Sequence, residues 1–284
     1  MQSKDDVSRI AVLASGICLA LCASPLPAHA AATPILAPLE YTCQFFASTC
    51  SVYDGRGELV RSVTISNPQG TQISRTGDWL IAGSGQGAVF VLNSTGTKTL
   101  AYLSNLGTPV DVTSYEDLIA VSVQAGPGVV VFKNYAQIAT LTDDRAVYAA
   151  GVAFDRHGNC YWSFNDATGV GRVDEFTGCA GNPKDLGFSL GYATGIAFDQ
   201  AGNLLVNDEF AGTYACSGLS TCTLKYTGFL QPLMLNVNEG GTRLIEVDGT
   251  GTISELAYPS GVLVFKIQAG TVASGAAIFP SDAL

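Results

Sequence analysis

The chain has 284 residues, with 14 basic against 24 acidic side chains and a net charge of −10. An acidic surface repels nucleic acid and anionic membranes, and no basic run offsets it, so we expect neither as a partner. One all-β domain of ordinary size accounts for this length, and no stretch after the first thirty residues is apolar enough for a membrane span.

The first thirty residues have the three parts of a secretory signal peptide. Lys4 and Arg9 precede an apolar run from 10 to 23, and Ala28-His29-Ala30 forms a small-x-small cleavage site. The run is too short for a final membrane anchor. We therefore predict a signal peptide over 1–30, export to the periplasm or the extracellular space, and an extended lead-in over 31–40.

After the lead-in, one short apolar strand recurs six times at steps of about 40 residues. Its copies begin at Gly70, Pro109, Gly151, Gly195, Met234 and Gly275. The third and fourth copies are the clearest, "GVAFDRHGNCYWSFND" and "GIAFDQAGNLLVND". Further strands rich in β-branched, Leu and aromatic residues follow each complete copy. In four of the five complete copies the first turn contains a glycine pair that predicts a two-residue hairpin: Gly77-Asp78, Gly158-Asn159, Gly202-Asn203 and Gly241-Thr242. Units of four short antiparallel strands at this period are typical of propeller blades.

The predicted fold is an all-β, six-bladed β-propeller over 41–284, with almost no helix. The copy at Gly275 lacks following strands, whereas three strands after Tyr41 lack a preceding copy. Joining the C-terminal strand to these three N-terminal strands completes the sixth blade and leaves no unpaired seam. Trp79 and Trp162 lie in second strands, where we expect them to pack between blades. We expect a monomer.

Six cysteines lie outside the signal peptide, an even number that favours disulfides in an exported protein. Six cysteines allow fifteen connectivities, and free buried cysteines are the alternative. Spacing and strand position favour three local pairs, each within one blade: Cys43–Cys50, Cys160–Cys179 and Cys216–Cys222.

The candidate binding residues are acidic and amide side chains in three successive blades. Connections from second to third strands, and from fourth to first strands, lie at one face of a propeller, which brings together Asn165, Asp166, Asn207, Asp208, Glu209 and Asp248. Oxygen-only groups suit Ca²⁺, with Asp166 and Asp208 as the best candidates, or a polar ligand such as a sugar or peptide. The alternative is that these side chains make hydrogen bonds within turns. No cofactor is required.

The motifs at Gly151 and Gly195 resemble NHL repeats and the wider superfamily that includes the regucalcin/gluconolactonase enzymes. That resemblance implies a six-bladed ring and, for the enzymes, a metal held at the starts of inner strands. The residues preceding the six copies are mostly neither carboxylates nor amides: Gln69, Thr108, Ala150, Thr194, Leu233 and Ser274. The only histidine after the signal peptide, His157, lies in a turn, where it is poorly placed as a catalytic base.

We therefore predict an exported, non-catalytic scaffold that binds a protein, peptide or carbohydrate through one acidic loop face. The alternative hypothesis is a metal-dependent hydrolase of the lactonase type with a rearranged acidic site. The propeller fold by itself hosts both kinds of function.

Overall fold

The computed structural model describes residues 39–238, 240–270 and 272–279, so the predicted signal peptide and most of the lead-in lie outside the described residues. It contains six four-stranded antiparallel sheets, as predicted. Within the described ranges the only helix is a single 3₁₀ turn, Thr177–Cys179, and no helix is long and apolar enough to cross a membrane.

Each blade runs from an inner strand at the centre of the ring to an outer strand at its rim. Blade 1 comprises β4 (Pro68–Ile73), β5 (Trp79–Gly83), β6 (Ala88–Leu92) and β7 (Thr99–Leu103). Blade 2 comprises β8 (Pro109–Tyr115), β9 (Leu118–Val123), β10 (Gly128–Lys133) and β11 (Ala136–Leu141). Blade 3 comprises β12 (Ala146–Phe154), β13 (Cys160–Asp166), β14 (Gly171–Phe176) and β15 (Lys184–Asp185). Blades 4 and 5 comprise β16 (Ala193–Phe198), β17 (Leu204–Asp208), β18 (Gly212–Ser217) and β19 (Thr221–Tyr226); and β20 (Pro232–Val237), β21 (Arg243–Asp248), β22 (Thr252–Ala257) and β23 (Val262–Gln268).

Blade 6 closes the ring with strands from both ends of the chain. Its order is β24 (Ala273–Phe279), β1 (Leu39–Gln44), β2 (Thr49–Tyr53) and β3 (Leu59–Thr64), which confirms the predicted closure. The first strand begins two residues before the predicted start at 41, because Leu39 and Glu40 pair with the backbone of β24. Each inner strand contacts the next, from β4 round to β24 and back to β4.

The turns that contain the Gly-Asn and Gly-Asp pairs are longer than the predicted two-residue hairpins, whereas the turn between β8 and β9, which has no glycine, has two residues. In blade 3, five residues separate the paired Phe154 and Cys160, and Gly158 has a φ of 79°. Asp155 opens this turn, and its Oδ1 accepts hydrogen bonds from the backbone N–H groups of His157 and Asn159 at 2.8 and 2.9 Å. A side chain that satisfies turn N–H groups favours this wider loop.

The core consists of six separate apolar clusters, one at each interface between neighbouring blades. Both tryptophans are fully buried in such clusters, as predicted. The indole N–H of Trp162 in blade 3 donates to Ser122 Oγ of blade 2 at 3.0 Å, so its polar atom is satisfied as well. Large side chains on both faces of every sheet therefore join the blades, which is how a ring without helices buries its surface.

At the centre of the ring, small residues let neighbouring inner strands approach closely. A Cβ atom on Gly151 would lie 2.7 Å from the backbone nitrogen of Ile196, and one on Gly195 would lie 2.8 Å from the carbonyl oxygen of Leu233. Real Cβ contacts are essentially never this short. The glycines of the repeated motif are therefore required by packing between blades 3, 4 and 5.

The structure pairs the cysteines as predicted. Cys43 and Cys50 are directly opposite on β1 and β2, and Cys216 and Cys222 are opposite on β18 and β19. The third disulfide joins Cys160, at the start of β13, to Cys179 after β14. Each bond therefore lies within one blade and fastens strands on its outer side.

Candidate binding face

One end of the ring, here called the upper face, carries the connections from second to third strands and from fourth to first strands. The residues Asn165 and Asp166 end β13, Asn207 and Asp208 end β17, and Asp248 ends β21. The structure therefore places the predicted residues at equivalent positions of three successive blades. Their partners differ from blade to blade, and these partners determine what each side chain does.

Asp166 and Asp248 are used inside their own turns. Oδ1 of Asp248 accepts hydrogen bonds from Thr250 N, Thr250 Oγ1 and Thr252 N at 2.9, 2.6 and 3.1 Å. Asp166 accepts the same three kinds of bond from Thr168 and Val170, and its Oδ2 accepts a bond from Arg172 Nε at 3.2 Å. The hydroxyl of Thr168 leads the groups that lower the pKa of Asp166 to about 2. The turn hydrogen bonds considered as the alternative reading are thus present.

Asp208 connects two loops instead of one. Its carboxylate accepts hydrogen bonds from Gly191 N at 2.6 Å and Tyr192 N at 3.3 Å, both in the connection entering β16, and from Phe210 N in the β17–β18 turn at 3.0 Å. Glu209 N also donates to Tyr192 O at 2.9 Å. Asp208 is buried. This carboxylate therefore sets the positions of two exposed loops of blade 4 relative to each other.

The amides Asn165 and Asn207 lie inside the protein and join neighbouring blades. Asn165 exchanges two hydrogen bonds with the backbone of Ala193 in blade 4, at 2.9 and 2.8 Å. Asn207 donates from Nδ2 to Glu246 Oε1 of blade 5 at 2.5 Å and accepts from Thr213 Oγ1 at 2.9 Å. Both amides are fully buried, so they hold blades 3, 4 and 5 together.

A second group of charges on the upper face centres on Arg145, between blades 2 and 3. Its guanidinium donates to Asp143 and Asp174 at 2.9 Å each and also contacts Asp185. The hydrogen bond that Arg145 donates to Asp143 is the largest of the effects that raise the pKa of Arg145, so this side chain stays charged. One cation thus contacts three carboxylates and ties the start of β12 to β14 and β15.

Several large apolar side chains are exposed on the upper face, beside polar ones such as Asp144. Phe46, Tyr148, Phe210 and Leu230, at the upper ends of blades 6, 3, 4 and 5, have 69%, 51%, 74% and 65% of their surface exposed. Tyr192 lies beside Phe210 with ring centroids 6.2 Å apart. Burial raises the pKa of Tyr192, and Glu209 and Tyr148 add to this effect from nearby. These five are the upper-face apolar residues.

The residues at the starts of the inner strands do not fit the metal site that lactonases of this superfamily imply. Thr194 Oγ1 donates to Pro232 O at 2.8 Å and Ser274 Oγ donates to Pro68 O at 2.7 Å, so these hydroxyls tie inner strands together. In the part of the chain that the structure describes, no group of three or more His, Cys, Asp or Glu side chains is placed to hold a metal ion. We derive no reaction step through a metal.

Sequence reasoning missed Asp111, which is buried beside the central channel. The channel holds a cavity of about 140 Å³ lined by residues of the inner strands, including Gln72, Asp111, Ser114 and Asn236. Asp111 Oδ2 accepts a hydrogen bond from Val152 N of blade 3 at 2.9 Å, and burial raises the pKa of this carboxyl to about 7. The sequence does single this residue out, because β8, "PVDVTSY", contains the only carboxylate among the six inner strands.

Six blades of four antiparallel strands, closed into a ring, define a six-bladed β-propeller. No protein-family model matches the chain, and no curated protein matches it. Among solved structures, it is similar to a chain in the crystal structure of a nidogen/laminin complex, with a TM-score of 0.70 and 15% identity over 85% of this chain and 98% of that one. At this identity the likeness establishes the fold alone.

Proposed function

We propose that this protein is an exported propeller that binds a protein partner through its upper face and carries no catalytic site of its own. The observation that carries the proposal is the exposure of Phe46, Tyr148, Phe210 and Leu230 on one face. The buried carboxylate of Asp208 holds the loop that carries Phe210. Large exposed aromatic and aliphatic side chains are the usual anchors of protein interfaces. The similar propeller comes from a nidogen/laminin complex, which agrees with a protein partner.

Export is supported by the signal-peptide pattern of residues 1–30 and by three disulfides, which persist in oxidising compartments. We further propose that the blades are of the NHL-like type, as the paired motifs at Gly151 and Gly195 indicate. A peptide or carbohydrate ligand at the same face, and Ca²⁺ near Asp166 or Asp208, stay as narrower versions of this proposal. No observation favours the lactonase alternative.

The test compares two variants of the mature protein as baits for proteins exported by the source cells. In the first, Tyr148→Ala and Phe210→Ala remove two anchors of the upper face. In the control, Tyr135→Ala removes a tyrosine of similar exposure, 48%, from the β10–β11 turn at the opposite face. We expect one exported protein to bind the wild type and the control with equal affinity and the double variant at least about tenfold more weakly. Equal affinity for all three would contradict the proposal.

A further inference from the structure

The interface between blades 4 and 5 opens into a cleft that is larger than those between blades 1 and 2 and between blades 3 and 4. Its buried apolar residues number only five, Leu205, Tyr226, Leu235, Leu244 and Leu256. Outward from them lies a cleft of about 410 Å³, lined by the end of β19 with the following connection on one side and by β22 and β23 on the other. A concave space of this size is in the range of sites for small molecules.

A row of three polar side chains leads along blade 5 towards this cleft. Glu246 on β21 is directly opposite Ser254 on β22, and Ser254 is directly opposite Lys266 on β23. Directly opposite residues of antiparallel strands project on the same side of the sheet. Because Glu246 contacts Asn207 of blade 4, this is the side that faces blade 4, and Ser254 and Lys266 both line the cleft.

The polar groups of this row have spare hydrogen-bonding capacity. Ser254 is only 5% exposed, and no described residue forms a hydrogen bond with its hydroxyl. Behind it, Glu246 Oε2 is buried and has no hydrogen-bond partner in the described part of the chain. A buried polar atom left without a partner costs free energy, so Glu246 Oε2 indicates a missing partner, and the Ser254 hydroxyl on the neighbouring strand is available to a ligand.

Two lysines line the same cleft without forming an ion pair with any described carboxylate. Lys225 lies over the rings of Tyr226 and Tyr258, with its Nζ 5.5 and 5.1 Å from the ring centroids. Lys266 completes the row from Glu246. By contrast, Lys184 pairs with Glu175 at 2.9 Å. In a chain with a net charge of −10, two free ammonium groups in one cleft form a local site for an anion.

The remaining walls fit an apolar body attached to that anion. Phe229, Leu256 and Leu263 line the cleft, and Leu263 is more than half exposed. Asp248 also lines it, but its Oδ1 is held by Thr250 and Thr252. Burial raises the pKa of Glu246 well above its ordinary value, which favours the uncharged form of this acid beside the cleft.

We propose that the cleft between blades 4 and 5 binds a small molecule in which a carboxylate is attached to an aliphatic or aromatic body. The carboxylate lies between the ammonium groups of Lys225 and Lys266 and accepts a hydrogen bond from Ser254. The body packs against Phe229, Leu256 and Leu263. This site shares no residue with the upper-face apolar residues and is independent of the function proposed for them.

The test titrates the folded mature protein with acetate, hexanoate, dodecanoate and 3-phenylpropionate, and with the neutral amide of each, followed by calorimetry and NMR. We expect saturable binding of at least one of the three larger acids and at least tenfold weaker binding of its amide. Lys266→Gln, Lys225→Gln and Ser254→Ala should each weaken binding of the acid about tenfold. The control Lys184→Gln changes the net charge equally and should leave affinity unchanged.

Thermal unfolding of each variant establishes that it is folded before it is titrated, and Lys266→Met replaces Lys266→Gln if the latter is unstable. Three outcomes would overturn the proposal: no saturable binding by any acid, equal affinity for acid and amide, or an equal effect of the Lys266 and Lys184 substitutions. Binding that Tyr148→Ala abolishes would place the acid on the upper face and overturn it as well.

Discussion

Replacing Asp208 by alanine tests whether this buried carboxylate holds the two loops that carry Tyr192 and Phe210. The substitution removes an acceptor for three backbone N–H groups, with N···O distances of 2.6, 3.3 and 3.0 Å. A hydrogen bond to a charged group contributes about 1.5–3 kcal/mol. Gly191 and Phe210 are exposed, so water replaces part of what is lost, and we expect a total loss of about 2 kcal/mol in the free energy of unfolding.

Two measurements separate this effect from general damage. Urea unfolding gives the change in stability, and hydrogen exchange should show the amides of Gly191, Tyr192 and Phe210 exchanging about 30-fold faster, since 1.4 kcal/mol corresponds to a factor of ten. The matched control is Asp166→Ala, whose backbone partners all lie in its own turn. It should leave the amides of blade 4 unchanged. Unchanged exchange at those three amides in Asp208→Ala would refute the reasoning.

Three further predictions concern stability. Because the pKa of Asp111 is raised from 3.8 to about 7, the native state holds a proton that the unfolded chain releases between these values, so stability falls as pH rises from about 4 to 7. In urea unfolding at each pH, the free energy of unfolding of Asp111→Asn should rise relative to that of the wild type by up to about 4 kcal/mol across this range. A difference between the two proteins that does not change with pH would contradict this prediction. Deleting 271–284 removes the inner strand of blade 6 and should abolish cooperative thermal unfolding of the whole ring; a native melting curve would place the closure elsewhere. Replacing Cys216 and Cys222 by serine should cost about 2 kcal/mol without changing the near-UV spectrum, and no change in melting temperature would show that the bond adds nothing.

The sequence by itself determined the ring, its closure and the disulfides, because these depend on local pattern. Each unit of about 40 residues, which begins with the recurring strand and continues through turns and further strands, forms one blade. The pairing of Cys216 with Cys222 follows from two strands joined by a short turn. The turn at Asp155 is wider than predicted because the Asp155 side chain accepts hydrogen bonds from two backbone N–H groups. The Gly-Asn pair in this turn gives no indication of those bonds.

The roles of the predicted site residues were decided only by tertiary structure. Asp166 and Asp208 both follow an asparagine at the end of a second strand. Asp166 bonds within its own turn, whereas Asp208 also holds the loop of Gly191 and Tyr192, which lie 17 and 16 residues away in the chain but adjacent in space. Glu246 lies in the middle of β21, and only the arrangement of blades 4 and 5 brings it into contact with Asn207. Contacts between blades join residues about 40 positions apart, and a single repeat unit contains no information on its neighbour's side chains. Carboxylates were therefore the predicted binding residues, whereas in the structure Asp208 holds the loops of Tyr192 and Phe210, and the side chain of Phe210 is exposed.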